Sequence, residues 1–389
     1  MGPARIARRR AATLTAAPHR AGLRIVVSYS GGDAYNPRSH ECVTRMKLAS
    51  RLAALKGCGF GGEFDRSAAY ACEVYYVPSR TIVGCDAAAA LGIRGAHDLF
   101  GGVVPHAFVG TKSITHPLID ADARAPHGWS HAFSQAVSDA VLEGYSAFAG
   151  DDAMRAGVRL LQSGAVRVKP ALALGGRGQT VVETQAALHE ALQRIDPGEL
   201  EDCGVVLERN LADVETYSVG HVEVGDLEAS YVGTQSLAVD NRGLEVYGGS
   251  DLLVARGGFD ALLALDISPA MKRAAERAQV YDAAAHACFP GFFASRRNYD
   301  VVEGRDAQGH PRTGVLEQSW RAGGASGAEI AAIEWFASRP RSRAVRAWCA
   351  EVYGADAVAP DGAVVYFSGV DDEVGYITKY TMLEPYADA

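Results

Sequence analysis

Residues 165–182, AVRVKPALALGGRGQTVV, constrain this 389-residue chain more than any other stretch. A lysine closes an apolar run studded with basic residues, a glycine-rich turn follows, and a short apolar strand comes directly behind it. Glycines permit positive φ and let backbone N–H groups approach a phosphate closely. Residue order excludes three common phosphate loops. A Walker A loop has its lysine after the glycines and a helix behind them. Here Lys169 precedes them and the chain runs into Thr-Val-Val. A dinucleotide fingerprint needs GxGxxG opening a helix, and this spacing differs. A protein-kinase glycine loop has its lysine later, on the next strand, and no HRD or DFG follows here. What remains is strand, lysine, glycine loop, strand. The N–H groups of Gly175, Gly176, Arg177 and Gly178 are a candidate cradle for a polyphosphate, with Lys169 as a point charge. An ordinary hairpin turn with surface glycines has the same local pattern, so the remaining residues must decide.

Upstream, LRIVVSYS (23–30) has the signature of a buried strand, followed by a loop and a helical stretch, ECVTRMKLASRLAALKG. EVYYVPSRTIV is expected as a strand interrupted at Pro78, and CDAAAALGI as a short helix. This alternation predicts a parallel α/β region over 21–125. SHAFSQAVSDAVLEGY and GDDAMRAGVRLLQSG are expected as two helices. After the glycine loop come three long antiparallel strands ending near Gly257, with DNRG as a turn. Then follow a long amphipathic helix capped by Ser268, a hairpin with its turn at DAQGHPR, another helix, and a last hairpin candidate over 362–381. The basic run SRPRSRAVR is expected as a solvated helix face.

Composition narrows the function classes. The hydrophobic share of 48% supports a large core, and a net charge of −8 argues against a general nucleic-acid binder. No apolar run reaches the length of about 18 residues that a membrane helix requires. The seven cysteines form no CxxC pair, which suits reduced thiols and a cytoplasmic protein. Residues 1–20, rich in Arg and Ala, are expected as a disordered basic tail.

Carboxylates downstream supply the chemistry. VVLERNLADVE ends a hydrophobic strand with Glu208 and places Glu215 seven residues on. NYDVVEG and TGVLEQSWRAGG put Asp300 and Glu317 on two paired strands, with Arg321 beyond them. Two carboxylates on adjacent strands suit Mg²⁺ (or Mn²⁺), which binds through one or two carboxylates plus substrate phosphates. An arginine beside them suits charge on a transferring phosphoryl group.

These three motifs, in this order, resemble the ATP-grasp superfamily. VRVKPALALGGRGQTVV is similar to its small-lobe lysine and glycine loop, close to the version in biotin carboxylases. VVLERNLADVE resembles the hinge strand between the lobes, and YDVVEG with VLEQSWR resembles the metal hairpin. The resemblance covers roughly residues 105–340, and the whole chain is similar to a bacterial family of ATP-grasp-like proteins without an established reaction. It implies an N-terminal Rossmann-like pre-ATP-grasp α/β domain followed by a two-lobed ATP-grasp domain of antiparallel sheets with helices, α/β then α+β. The implied ranges are 126–340 for the ATP-grasp domain, with a small lobe at 145–210 and a large lobe at 211–340. Residues 341–389 would be a C-terminal helix and hairpin packed on the large lobe.

The resemblance also implies roles. ATP would lie between the lobes under a lid of Lys169 and residues 175–178. Glu208 would sit beside the adenine and Glu215 on the ribose. Asp300 and Glu317 would be metal ligands, and Arg321 the phosphoryl-stabilising arginine. Ser319 stands where the family usually has an Asn metal ligand. Lys112, or alternatively Arg155, is the candidate for the upstream nucleotide lysine. The implied reaction joins a small-molecule carboxylate to an amine through an acylphosphate, releasing ADP and phosphate. Alternatives are a non-ligating nucleotide-binding regulator and a kinase-like enzyme acting on a hydroxyl. A homodimer is a further expectation. Ser250 and Arg256 are candidate substrate contacts, with an exposed salt bridge as the alternative for Arg256; Tyr217 and Tyr231 are expected in the sheet; and His97, His106, His116, His127 and His131 are expected in surface or interdomain packing, with substrate contact as the alternative.

Overall fold

The computed structural model describes residues 24–32, 35–172 and 178–386; the N-terminal tail expected over 1–20 lies outside these. In the first region β1 (Arg24–Tyr29) is flanked by β2 (Gly59–Glu63) and β3 (Glu73–Pro78), both parallel to it, with α1 (His40–Leu55) as the crossover. Ser39 caps α1 by accepting from Cys42 N, and Val26, Leu48, Leu52 and Tyr75 form the core beneath it. This is the parallel α/β arrangement that the strand–helix alternation predicts. β4 (Ile82–Val83) leads to α2 (Cys85–Ala90), and β5 (Gly102–Val104) then pairs with β4.

A four-stranded sheet follows. α3 (His131–Ala136) is shorter than its sequence pattern predicts, because the chain leaves the helix to pair Val141 with Val315. β6 (Gly144–Ala147), β7 (Val166–Pro170), β8 (Thr180–Val182) and β9 (Val205–Arg209) are arranged β6-β9-β7-β8. One face of this sheet, carrying Val166, Val168, Val205 and Leu207, packs on α4 (Gly150–Leu161) and α5 (Gln185–Gln193). Alternation along each strand leaves Lys169, Val206 and Glu208 on the opposite face. α6 (Pro197–Asp202) precedes β9.

The chain then crosses to an eight-stranded antiparallel sheet. Its members are β10 (Ala212–Val224), β11 (Leu227–Val239), β12 (Glu245–Arg256), β14 (Arg296–Arg305), β15 (Pro311–Ser319), β16 (Ala344–Tyr353), β17 (Val364–Asp371) and β18 (Gly375–Pro385), in the order β15-β14-β10-β11-β12-β16-β18-β17. α7 (Phe259–Leu263) and α8 (Pro269–Cys288) pack toward one face, and α9 (Ser326–Ser338) packs on the other. β13 (Phe293–Ala294) pairs with β5 and ties the first region to this sheet. Asp213, where β9 gives way to β10, has φ 52° and is the only non-glycine with positive φ among the described residues. Aspartate tolerates this left-handed conformation better than most side chains.

The C-terminal segment corrects one expectation. Residues 341–386 contain no helix among the described residues, and Ala344 opens β16 instead. Val345, Ala347 and Cys349 are buried at period two, a strand pattern that the overlapping basic run obscures. β17 and β18 form the predicted hairpin and extend the large sheet.

Candidate functional site

Three fully buried side chains meet on the free face of the four-stranded sheet. Lys169 Nζ lies 2.8 Å from Glu208 Oε1, and His116 Nε2 lies 3.2 Å from Glu208 Oε2. Burial alone would push the Glu208 carboxyl up; Lys169 and then His116 overcome that and hold it at about 2, below its ordinary 4.5. The His116 ring fits because β6 has a glycine opposite it. A Cβ on Gly144 would stand 2.7 Å from Leu207 O and 2.9 Å from the ring. Gly144→Ala is therefore expected to lower stability by about 1–3 kcal/mol, read as a fall in urea midpoint; an unchanged midpoint would contradict this packing.

A second cluster lies on the β14–β15 hairpin. Asp300 and Glu317 are register partners, followed by a bulge. Gln235 Nε2 donates to Asp300 Oδ1 at 2.7 Å, and Lys112 Nζ pairs with Glu317 Oε2 at 2.8 Å. Burial, then the charge of Glu317, pushes the Asp300 carboxyl up to about 7 against Gln235, Arg296 and Lys112. A buried carboxyl pushed up by a neighbouring carboxylate fits a divalent cation that keeps some of its waters. They form a pair rather than a cage: among the described residues no three His, Cys, Asp or Glu side chains converge to hold a metal.

The segment from Lys112 to His116 joins the two clusters. Lys112 reaches the hairpin and His116 reaches the hinge glutamate, and four residues of chain span at most ~14 Å. Gln318 pins this segment, donating to Val109 O at 3.0 Å and Thr111 O at 2.6 Å. Thr115 bonds to the Tyr281 hydroxyl at 3.1 Å. Arg155, the other candidate for the upstream cation, is instead half-exposed and paired with Asp120 and Asp152.

Beyond β15, Arg296 and Arg321 converge around Gly323, each placing a guanidinium nitrogen 3.8 Å from where a Cβ there would stand. Arg296 is neutralised by Glu329, with contacts of 2.8–3.0 Å. Its Nη1 also donates to Ser319 O at 3.1 Å, Ser319 Oγ at 3.3 Å and Arg321 O at 2.6 Å. The Ser319 hydroxyl is thus engaged by a cation. Arg321 donates to Ala322 O at 2.9 Å and pairs with no carboxylate among the described residues; burial and the charge of Arg296 push its pKa down. A guanidinium so placed favours an anion beside it.

The remaining candidates fall as follows. Gly178 takes φ 71°, as a glycine turn between β7 and β8 requires, while Gly175, Gly176 and Arg177 lie outside the described residues. Glu215 stands in register with Glu303 and accepts from the Tyr217 hydroxyl. Ser250 is buried, with its hydroxyl 2.8 Å from that of Tyr247. Arg256 is not brought to the site: its guanidinium serves Phe336 O, Arg339 O and Ser342 O at the end of α9. Tyr231 donates to Glu329 at 2.6 Å. His106 and His127 pack edge to face at 5.3 Å, and His97 and His131 are exposed. All seven cysteines are free. No helix among the described residues is long and apolar enough to cross a membrane.

Sequence reasoning missed His116, Gln235, Gln318 and the Arg296–Glu329 pair. A signal existed for the first: His116 lies four residues after Lys112, so one short segment could supply both.

A glycine hairpin with its lysine on a small sheet, a hinge strand into a large antiparallel sheet, a paired-carboxylate hairpin and a parallel α/β region together make the ATP-grasp fold. Solved structures agree. N5-carboxyaminoimidazole synthetase from Staphylococcus aureus, complexed with ADP, is similar at 11% identity and TM-score 0.53, with 93% of each chain covered. The biotin carboxylase domain dimer of the Hydrogenobacter thermophilus 2-oxoglutarate carboxylase, in complex with MgADP, ADP and bicarbonate, is similar at 12% identity and TM-score 0.52, over 94% of this chain and 87% of that one. The Campylobacter jejuni biotin carboxylase–β-γ-ATP complex is similar at 12% identity and TM-score 0.50, over 94% and 88%. The chain itself belongs to the family described as protein of unknown function (DUF3182), whose model matches residues 28–381. No curated protein matches it.

Proposed function

We propose that this protein is an ATP-dependent, ADP-forming ligase that activates a small carboxylate as an acylphosphate and passes it to an amine. The observation that supports this best is the segment 112–116, whose Lys112 contacts the carboxylate hairpin and whose His116 contacts the hinge glutamate. Adenine would lie against the hinge at Glu208, and Glu215 would take the ribose hydroxyls. Lys169 and Lys112 would give up their carboxylate partners to phosphate oxygens, a charge exchange between buried ions. The glycine loop at 175–178 would cover the phosphates, excluding water from a hydrolysable intermediate.

Asp300 and Glu317 would hold Mg²⁺, and Ser319 would join them only by leaving Arg296. Bound there, Mg²⁺ would neutralise phosphate charge. Arg321 would stabilise the transferring phosphoryl group, and both effects are positioning and electrostatics. The Ser250 hydroxyl, one strand from Gln235 in register, is the retained acceptor-side candidate. Nucleotide-bound relatives of the fold favour ATP as ligand, and the dimeric relative makes a homodimer the expected assembly.

The test is a screen of amino acids and small carboxylates for ADP release. ADP formation that requires both a carboxylate and an amine supports the ligase. A nucleotide-induced rise in melting temperature without turnover supports a regulatory binder, and a phosphorylated hydroxyl seen by phosphorus NMR supports a kinase. Glu317→Gln is expected to cut turnover at least ~100-fold and also to lower the melting temperature, because the buried Lys112 ammonium loses its carboxylate; full turnover in that variant would sink the metal-hairpin assignment.

A further inference from the structure

The hinge triad poses a charge problem that the proposed function does not address. Lys169 and Glu208 are both 2% exposed at the side chain and 2.8 Å apart, so in the free protein their charges cancel. His116, with a fully buried side chain, offers Nε2 to the other carboxylate oxygen, while its Nδ1 has no hydrogen-bond partner among the described residues. A bare buried Nδ1 is an acceptor without a donor, as in a neutral ring. Beside it, β6 contributes Gly144, against which the ring packs, and Ser146 on the same face two residues on. Ser146 N donates to Pro117 O at 2.9 Å, next to His116, and its hydroxyl likewise has no partner. The charged groups facing the ring are Glu208 on β9 and, across it, Lys169 on β7.

When a phosphate draws Lys169 away, Glu208 is left as a buried carboxylate with one neutral donor. An uncompensated buried charge costs several kcal/mol. We infer that His116 is the compensating residue of this site: on nucleotide binding it takes one proton from solvent at Nδ1, and the imidazolium pairs with Glu208. Charge balances on both sides, since a neutral Lys169–Glu208 pair becomes a Lys169–phosphate pair and a His116–Glu208 pair. His116 thus positions Glu208 and couples nucleotide affinity to proton uptake. This rests on the nucleotide-site reading above.

Calorimetry of ADP binding in buffers of different ionisation enthalpy, at about pH 7.5 with EDTA present, counts the protons taken up. The wild-type protein is expected to take up about one proton more per ADP than His116→Gln. Nitrogen NMR of the wild type should show one histidine becoming doubly protonated on ADP addition, a signature that needs no variant. Equal proton counts in wild type and variant, with both binding ADP and no histidine ring changing state, overturn the inference alone. Absence of ADP binding by the wild type overturns the nucleotide-site reading and the inference with it.

Discussion

Glu208→Gln is expected to destabilise the protein by about 3–5 kcal/mol, because it strips a buried ammonium of its counter-ion while keeping the shape of the side chain. Lys169 is 2% exposed at the side chain, so water cannot replace the lost carboxylate. The acid side of the stability profile should change as well. A carboxyl held at about 2 instead of its ordinary 4.5 binds its proton more weakly folded than unfolded. Its contribution is therefore complete above pH 4.5 and lost as pH falls toward 2. The shift corresponds to about 3 kcal/mol. Urea melts at neutral pH and near pH 3 measure both effects. The variant's deficit should shrink by roughly 2 kcal/mol near pH 3, because the unfolded carboxyl is protonated there while the folded Glu208 still has to stay charged. A deficit that is the same at both pH values would mean that the Glu208 charge is not what stabilises the hinge. Lys169→Met with Glu208→Gln should recover part of the loss, since no unpaired ion then remains buried.

The contrast between Glu208 and His116 shows what was legible in the sequence. Glu208 ends an apolar strand, and a carboxylate there breaks a local pattern, so the sequence exposes it. Asp300 and Glu317 are legible for the same reason, as acids inside two strand patterns that a turn joins. The parallel first region and the long antiparallel strands also follow from local periodicity. His116 sits in a loop rich in Gly, Pro and His, where nothing local separates a buried histidine from an exposed one; its role depends on Glu208, 92 positions away. Gln235 is one polar residue on a strand that carries several, and only its contact with Asp300 singles it out. Arg256 erred in the other direction. A basic residue at the end of a strand beside the site suggests a substrate contact, but the carbonyls left open at the C-terminus of α9 take it. Strand β16 was hidden because a basic run overlaps its start and suggests helix, while the period-two burial at Val345, Ala347 and Cys349 that marks a strand begins inside that run and continues past it.

The Arg296–Glu329 pair yields the other large effect, and its two readouts separate. The two side chains are 1% and 0% exposed, and Glu329 also accepts the Tyr231 hydroxyl. Glu329→Ala leaves a buried guanidinium without its carboxylate and is expected to cost about 3–5 kcal/mol. Removing both charges, by Arg296→Met with Glu329→Leu, should bring stability back to near the wild-type value or above it, because a buried ion pair exchanged for apolar side chains of similar volume is often neutral or stabilising by about 1–4 kcal/mol. Function should not return with stability. The Arg296 guanidinium is what holds the carbonyls of Ser319 and Arg321, and with them the turn that presents Arg321. Once it is gone, the Arg321 guanidinium has lost its neighbour of like charge as well as its anchor, and a misplacement of about 1 Å at a phosphoryl-stabilising group costs on the order of 100-fold in rate. Urea unfolding and ADP formation measured on the same double variant test this. Recovered stability with lost turnover would assign the pair to positioning Arg321. Recovered stability with full turnover would leave the pair as a fold contact alone and remove the structural basis for placing Arg321 at the phosphoryl group.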